Sequence, residues 1–105
     1  MNVQIERSKG CLRIEGDMTV YTAADLKPLV LAALTAGGDE TLLDLSQVGE
    51  FDSAGLQVLL AALNHSAAAG RPMSVVAASR AVLDVLELFR QMHLLSPAAR
   101  KDMAS

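Results

Sequence analysis

Leu42-Leu43-Asp44-Leu45-Ser46-Gln47-Val48-Gly49-Glu50-Phe51-Asp52-Ser53-Ala54-Gly55-Leu56-Gln57-Val58-Leu59-Leu60 is the segment on which the fold turns. Its first part, with Thr41 in front, is a short and nearly continuous apolar run from Thr41 to Ser46, the pattern of a central strand. Its second part begins a helix, Ser53 to Ala69, that ends at Gly70 and the stop signal Arg71-Pro72. Met73 to Ala77 then supplies a further strand. Strand, helix and strand in that order predict parallel neighbours joined by a right-handed crossover.

The same reading extends to both ends of the chain. Val3 and Ile5 alternate with Gln4 and Glu6, Ser8-Lys9-Gly10 supplies turn residues, and Leu12 and Ile14 alternate with Cys11, Arg13 and Glu15. This predicts a β-hairpin with one wet face. Thr22 to Ala36 has helical character, with Thr22 as N-cap, Asp25 in the first turn, an apolar stripe of Leu26, Val30 and Leu34, and Gly37-Gly38 as terminator. Pro28 either kinks that helix or begins its main part. Arg80 to Met92 reads as a third helix on Val82, Val85, Leu86 and Phe89. Leu94-Leu95 is a candidate last strand fragment, and Ser96-Pro97 the cap and first position of a short final helix.

The expected fold is therefore α/β: a mixed four- to five-stranded sheet that starts with a β-hairpin, with helices packed mainly on one face. A single domain covers 1–105, its core about 1–95, and 96–105 forms a short C-terminal helix or tail.

Composition narrows the functions. The 105 residues carry 9 Lys plus Arg against 12 Asp plus Glu, a formal charge of −3, and no basic cluster longer than Arg100-Lys101. That balance argues against a nucleic-acid partner. Cys11 is the only cysteine, which excludes an internal disulfide and a Cys-rich zinc site and points to a reducing compartment. Glu6, Arg7 and Lys9 stand where an export signal needs an apolar core, and the uncharged stretch Ser53 to Gly70 is too polar to span a membrane. A cytoplasmic location is expected.

Catalytic patterns are missing from the sequence. It contains neither GxxxxGK[ST] nor GxGxxG, and His65 and His93 fall on different predicted helices without metal-ligand spacing. The acidic pairs Asp39-Glu40 and Glu50/Asp52 sit at loop positions, where solvated charge is the ordinary state. Ser53 and His65 lie about 18 Å apart along one helix at 1.5 Å per residue, too far to act together. No catalytic residue, metal or cofactor is expected, and no enzyme activity.

The segment Val48 to Leu56 is the exception. By type Ser53 is an N-cap, its hydroxyl placed where free backbone N–H groups point outward. On a helical wheel Leu56, Leu59, Leu60, Leu63 and Ala67 form the core stripe, while Ala54, Val58, Ala61 and His65 fall opposite. The helix has no charged side chain at all. An uncharged outer face of small residues suggests a protein-docking surface, the competing reading being that neighbouring helices cover it. On the docking reading Val58→Glu weakens partner binding and leaves stability nearly unchanged; on the covering reading it lowers the melting temperature.

Leu42 through Leu60 resembles the STAS domain of bacterial anti-sigma factor antagonists, whose hallmark is an apolar strand ending in Asp, a short loop, and Asp-Ser-x-Gly-Leu opening a helix. Glu15-Gly16-Asp17 is similar to the family's bend after the second strand and Ser79-Arg80-Ala81-Val82 to the start of its third helix, so the resemblance covers roughly 1–95. It implies that Ser53 is a phosphoacceptor for a partner Ser/Thr kinase that doubles as an anti-sigma factor. The unphosphorylated form would bind that kinase, and a phosphatase would reset the switch. Ala54, Val58 and Ala61 become interface positions. Asp52 either orients the hydroxyl or engages the kinase, the competing reading being a solvated loop carboxylate that favours the helix N-terminus. Gly55 allows close approach of either a partner or the sheet. The alternative is a STAS adaptor that binds without phosphorylation, in a chemotaxis-type signalling cluster or a phospholipid-transport complex.

Overall fold

The computed structural model describes residues 3–8, 10–36 and 41–104. Alternation at the start of the chain folds as expected: β1 (Val3–Ser8) and β2 (Cys11–Met18) pair antiparallel, with Ile5 opposite Ile14 and Glu6 opposite Arg13. Gly10 turns the hairpin at φ +80°, a conformation that glycine adopts without penalty.

Helix α1 (Ala23–Thr35) runs unbroken through Pro28. Proline removes one intrahelical donor, but Pro28 and Ala24, whose carbonyl loses that donor, are both exposed, so water replaces the bond. Thr22 is the N-cap residue, yet its side chain makes no cap bond; its hydroxyl donates to the Asp17 carbonyl instead, at 2.9 Å. The expected terminator Gly37-Gly38 and the acidic pair Asp39-Glu40 lie outside the described residues.

β3 (Thr41–Phe51) is longer than the run Thr41 to Ser46 suggested. Its second half pairs parallel with the end of β2, Gln47 with Glu15, Val48 with Gly16 and Phe51 with Met18, across two register shifts. Glu50 thus belongs to a strand, and the loop before the next helix shrinks to Asp52. At each shift the extra residue lies on β3, where Asp44 to Gln47 and Val48 to Phe51 span three steps against two on β2, and at the bend Gly16 itself takes φ +110°.

α2 (Ser53–Ala68) and β4 (Met73–Ala78) follow, β4 pairing parallel with β3. The strand order is β1-β2-β3-β4. Because β2, β3 and β4 are parallel and successive, right-handed crossovers place α1 and α2 on the same face. Leu12, Ile14, Leu43, Leu45 and Val75 are buried on that face, with Leu26, Val30, Leu59 and Leu86 packed over them. The opposite face carries Arg13 beside Glu6 and, at 3.2 Å, Glu15. The Glu6 carboxylate, by hydrogen bond and by charge, raises the Arg13 guanidinium above its ordinary value.

α3 (Arg80–Leu88) is shorter than the periodicity predicted. Arg90 adopts φ +56°, the left-handed conformation that closes a helix, and the Gln91 N–H reaches back to the Leu86 carbonyl. With no glycine there, no local residue announces this end. After a 3₁₀ turn at Met92–Leu94, Leu95 makes an isolated parallel bridge to Val75, so the fifth strand is a single residue. α4 (Pro97–Ala104) begins with Pro97 in the first position as expected, and the Ser96 hydroxyl accepts from the Ala99 N–H.

Candidate functional site

The carboxyl ends of β2 and β3 and the amino end of α2 meet at one corner. What brings them so close is Gly55: a Cβ on it would lie 2.2 Å from the Met18 carbonyl oxygen. Of the two approaches that a small residue at this position might allow, the structure shows the one against the sheet.

Asp52, not Ser53, is the N-cap of α2. Its backbone is extended, and its Oδ1 accepts from the Ala54 N–H at 2.9 Å and the Gly55 N–H at 3.2 Å. Aspartate and serine cap equally well by type, so sequence alone could not choose between them. Placing the cap at Asp52 moves Ser53 to the first helical position, exposed at the corner. The other carboxylate oxygen of Asp52, Oδ2, accepts from the Val20 N–H at 3.0 Å. Asp52 therefore serves the helix N-terminus, as one of its two readings had it, and adds a task that neither gave it, the hold on Val20: both its oxygens serve backbone donors, none of them from Ser53.

Val20 and Tyr21 occupy the turn between β2 and α1 and are 65% and 91% exposed. Two large apolar side chains thus stand in solvent beside Ser53, a feature the sequence reading missed. The signal was present as Thr19-Val20-Tyr21-Thr22, the chain's one tyrosine set between a bend and a helix cap. Next to this turn a hollow is lined by Tyr21, Glu50, Phe51, Asp52 and Asp84, with no basic side chain among its lining residues. The Arg80 Nε lies 3.4 Å from the Asp84 carboxylate.

The expected outer face of α2 is only partly outside. Val58 is 4% exposed, so its assignment to a solvent-facing surface is corrected: α1 packs against α2 and covers it. Ala54 and Ala61 are half-buried and line an open groove between the two helices, rimmed by Lys27, Gln57 and Asn64. His65 lies further along α2, its Nε2 3.2 Å from the Thr35 hydroxyl at the end of α1. The structure thus gathers Asp52, Ser53, Ala54 and Gly55 at the corner, leaves Ala61 in the groove and takes Val58 into the core.

A family model described as "Mlab, STAS domain" matches residues 1–96. Among solved structures, the anti-sigma factor antagonist SpoIIAA in its unphosphorylated form superimposes with a TM-score of 0.70 at 14% identity, covering 97% of this chain and 92% of that one. An anti-sigma factor antagonist from Mycobacterium paratuberculosis gives a TM-score of 0.71 at 22% identity, covering 89% of this chain and 80% of that one. No helix among the described residues is long and apolar enough to cross a membrane.

Proposed function

Since the chain belongs to the STAS domain family, we propose that it is a protein-binding switch of the anti-sigma factor antagonist type, thrown by phosphorylation of Ser53. The observation that carries this reading is an exposed serine at the first position of α2, directly after the capping Asp52 and within the Asp-Ser-x-Gly-Leu motif. A kinase reaches such a hydroxyl without unfolding the domain. In the transfer the Ser53 Oγ–P bond forms, the bond from the γ-phosphorus to the leaving ADP oxygen breaks, and the hydroxyl proton passes to the kinase.

Phosphate at this place changes the surface more than the fold. It adds about 1.5 to 2 negative charges at neutral pH, and a helix N-terminus tolerates anions through its dipole and free N–H groups. A partner seated on the corner, against Ser53, Ala54 and the α1–α2 groove, then meets repulsion from the phosphate and the neighbouring Glu50. The partner class is an anti-sigma factor or Ser/Thr kinase with a phosphatase opposing it, and the site of action is the cytoplasm. The domain acts by binding and not by catalysis.

The decisive experiment is a pull-down from the native host with quantified binding of wild type, Ser53→Ala and Ser53→Glu. The alanine variant is expected to bind the partner at wild-type strength and never to be released by ATP. The glutamate variant is expected to be only partly weakened, because one carboxylate replaces a dianion. Loss of binding on Ser53→Ala would overturn the reading. The Asp52-Ser53-Ala54-Gly55 stretch is also compatible with a second reading, the adaptor that binds without phosphorylation. A chain isolated from its host that never carries phosphate, yet retains its partner through the Ala54 and Ala61 groove, would establish that one.

A further inference from the structure

The four N–H groups of the turn Thr19 to Thr22 have separate acceptors. Thr19 N–H donates to the Thr22 hydroxyl oxygen, Tyr21 N–H to the Thr19 hydroxyl oxygen, and Thr22 N–H to the Thr19 carbonyl. Those three bonds lie within the turn. Val20 N–H alone is met from elsewhere in the chain, by the Asp52 Oδ2 across 32 residues of sequence. The same carboxylate holds the first turn of α2 through its Oδ1. One side chain therefore ties the turn that carries Val20 and Tyr21 to the helix end that carries Ser53.

We propose that Asp52 is a positioning residue, a carboxylate latch that holds the Val20-Tyr21 turn in place, and that phosphate on Ser53 opens it. The proposal rests on the phosphoserine reading above for its biological occasion. Its physics is local. A phosphate on Ser53 places a dianion on the residue next to Asp52, and its three acceptor oxygens compete for the same Ala54 and Gly55 N–H groups. The hollow beside the latch offers Glu50 and Asp84 but no lining cation to absorb the added charge. Repulsion therefore falls on the Asp52 carboxylate, which turns outward and leaves Val20 without its acceptor. Phosphorylation thus acts on two surfaces at once: it charges the helix end and loosens the exposed Val20-Tyr21 pair.

The test needs no kinase. The full chain is labelled with ¹⁵N and prepared as wild type, as Asp52→Asn, and with phosphoserine installed at position 53 during translation. Asparagine keeps one oxygen for the Ala54 and Gly55 donors but lacks the second, so it preserves the cap and removes the tether. Glu50 N–H, held by the Asp17 carboxylate at 2.9 Å, is the internal control for an intact fold. The expected result is an upfield move of the Val20 amide proton in Asp52→Asn and in the phosphoserine protein, with Glu50 unmoved. Faster local motion at Val20 and Tyr21 in both should accompany it. A Val20 resonance unaffected by Asp52→Asn overturns the latch. One moved by Asp52→Asn but not by phosphoserine overturns its opening, as when Lys27 across the α1–α2 groove takes the phosphate instead. Whether a host kinase modifies Ser53 is read separately, from the mass of the chain isolated from its host, so the two claims fail independently.

Discussion

Gly55→Ala is expected to lower the stability of the domain by about 3 kcal/mol, the upper end of the usual range for forcing extra volume into a packed site. For a chain of this length that corresponds to a fall in melting temperature of roughly 10 to 20 °C. Two effects oppose each other. Alanine improves intrinsic helix propensity by about 1 kcal/mol over glycine. Against that, the new Cβ would stand 2.2 Å from the Met18 carbonyl oxygen, an atom of the strand backbone that no rotamer change can move. Either α2 lifts from β2 or the end of β2 shifts, and both disturb the Asp52 N–H bond to that carbonyl at 3.3 Å. Thermal unfolding followed by circular dichroism decides the matter, and a melting temperature unchanged or raised would contradict the close approach.

Val58→Glu is the second large effect, in the opposite sense to the docking reading of the helical wheel. With Val58 buried beneath α1, a glutamate must either carry its charge into apolar surroundings, protonate there, or prise the helices apart. The expected loss is about 3 kcal/mol, measured by denaturant unfolding. Ala61→Glu, at a half-buried position on the rim of the same groove, is expected to be much milder in stability. Ala61→Glu is therefore the variant that separates partner binding from folding, and equal destabilisation by both substitutions would show the groove to be closed.

Much of the fold was legible because each element announces itself by a local rule. The hairpin follows from alternation around Ser8-Lys9-Gly10, the end of α2 from Gly70, and α4 from Ser96-Pro97. What escaped was set by contacts between distant residues. β3 runs on to Phe51 because the end of β2 offers Gly16 and Met18 as pairing partners across a bulge in β3, which no property of Gln47-Val48-Gly49-Glu50 foretells. α3 stops early at an arginine forced into a left-handed conformation. At the corner, the motif Asp52-Ser53-Ala54-Gly55 was recognisable, but the division of labour inside it was not. Asp52 became the cap because its second oxygen also meets Val20, a donor 32 residues away. A helical wheel likewise shows which side of α2 is apolar but not that α1 lies over half of its other side.

The strand order bears on the kind of ligand the domain can take. Open parallel sheets that bind nucleotides do so in a crevice where successive connections depart in opposite directions, so that two neighbouring loops part and leave a cleft between them. Here the progression from β2 to β3 to β4 never reverses. The loops at the carboxyl ends of β2 and β3 consequently lean together instead of apart, close enough for one carboxylate to bridge them. No switch point therefore opens a cleft between these two loops, and the concavities that remain at the corner lie outside them, in the hollow beside Tyr21 and the groove between α1 and α2.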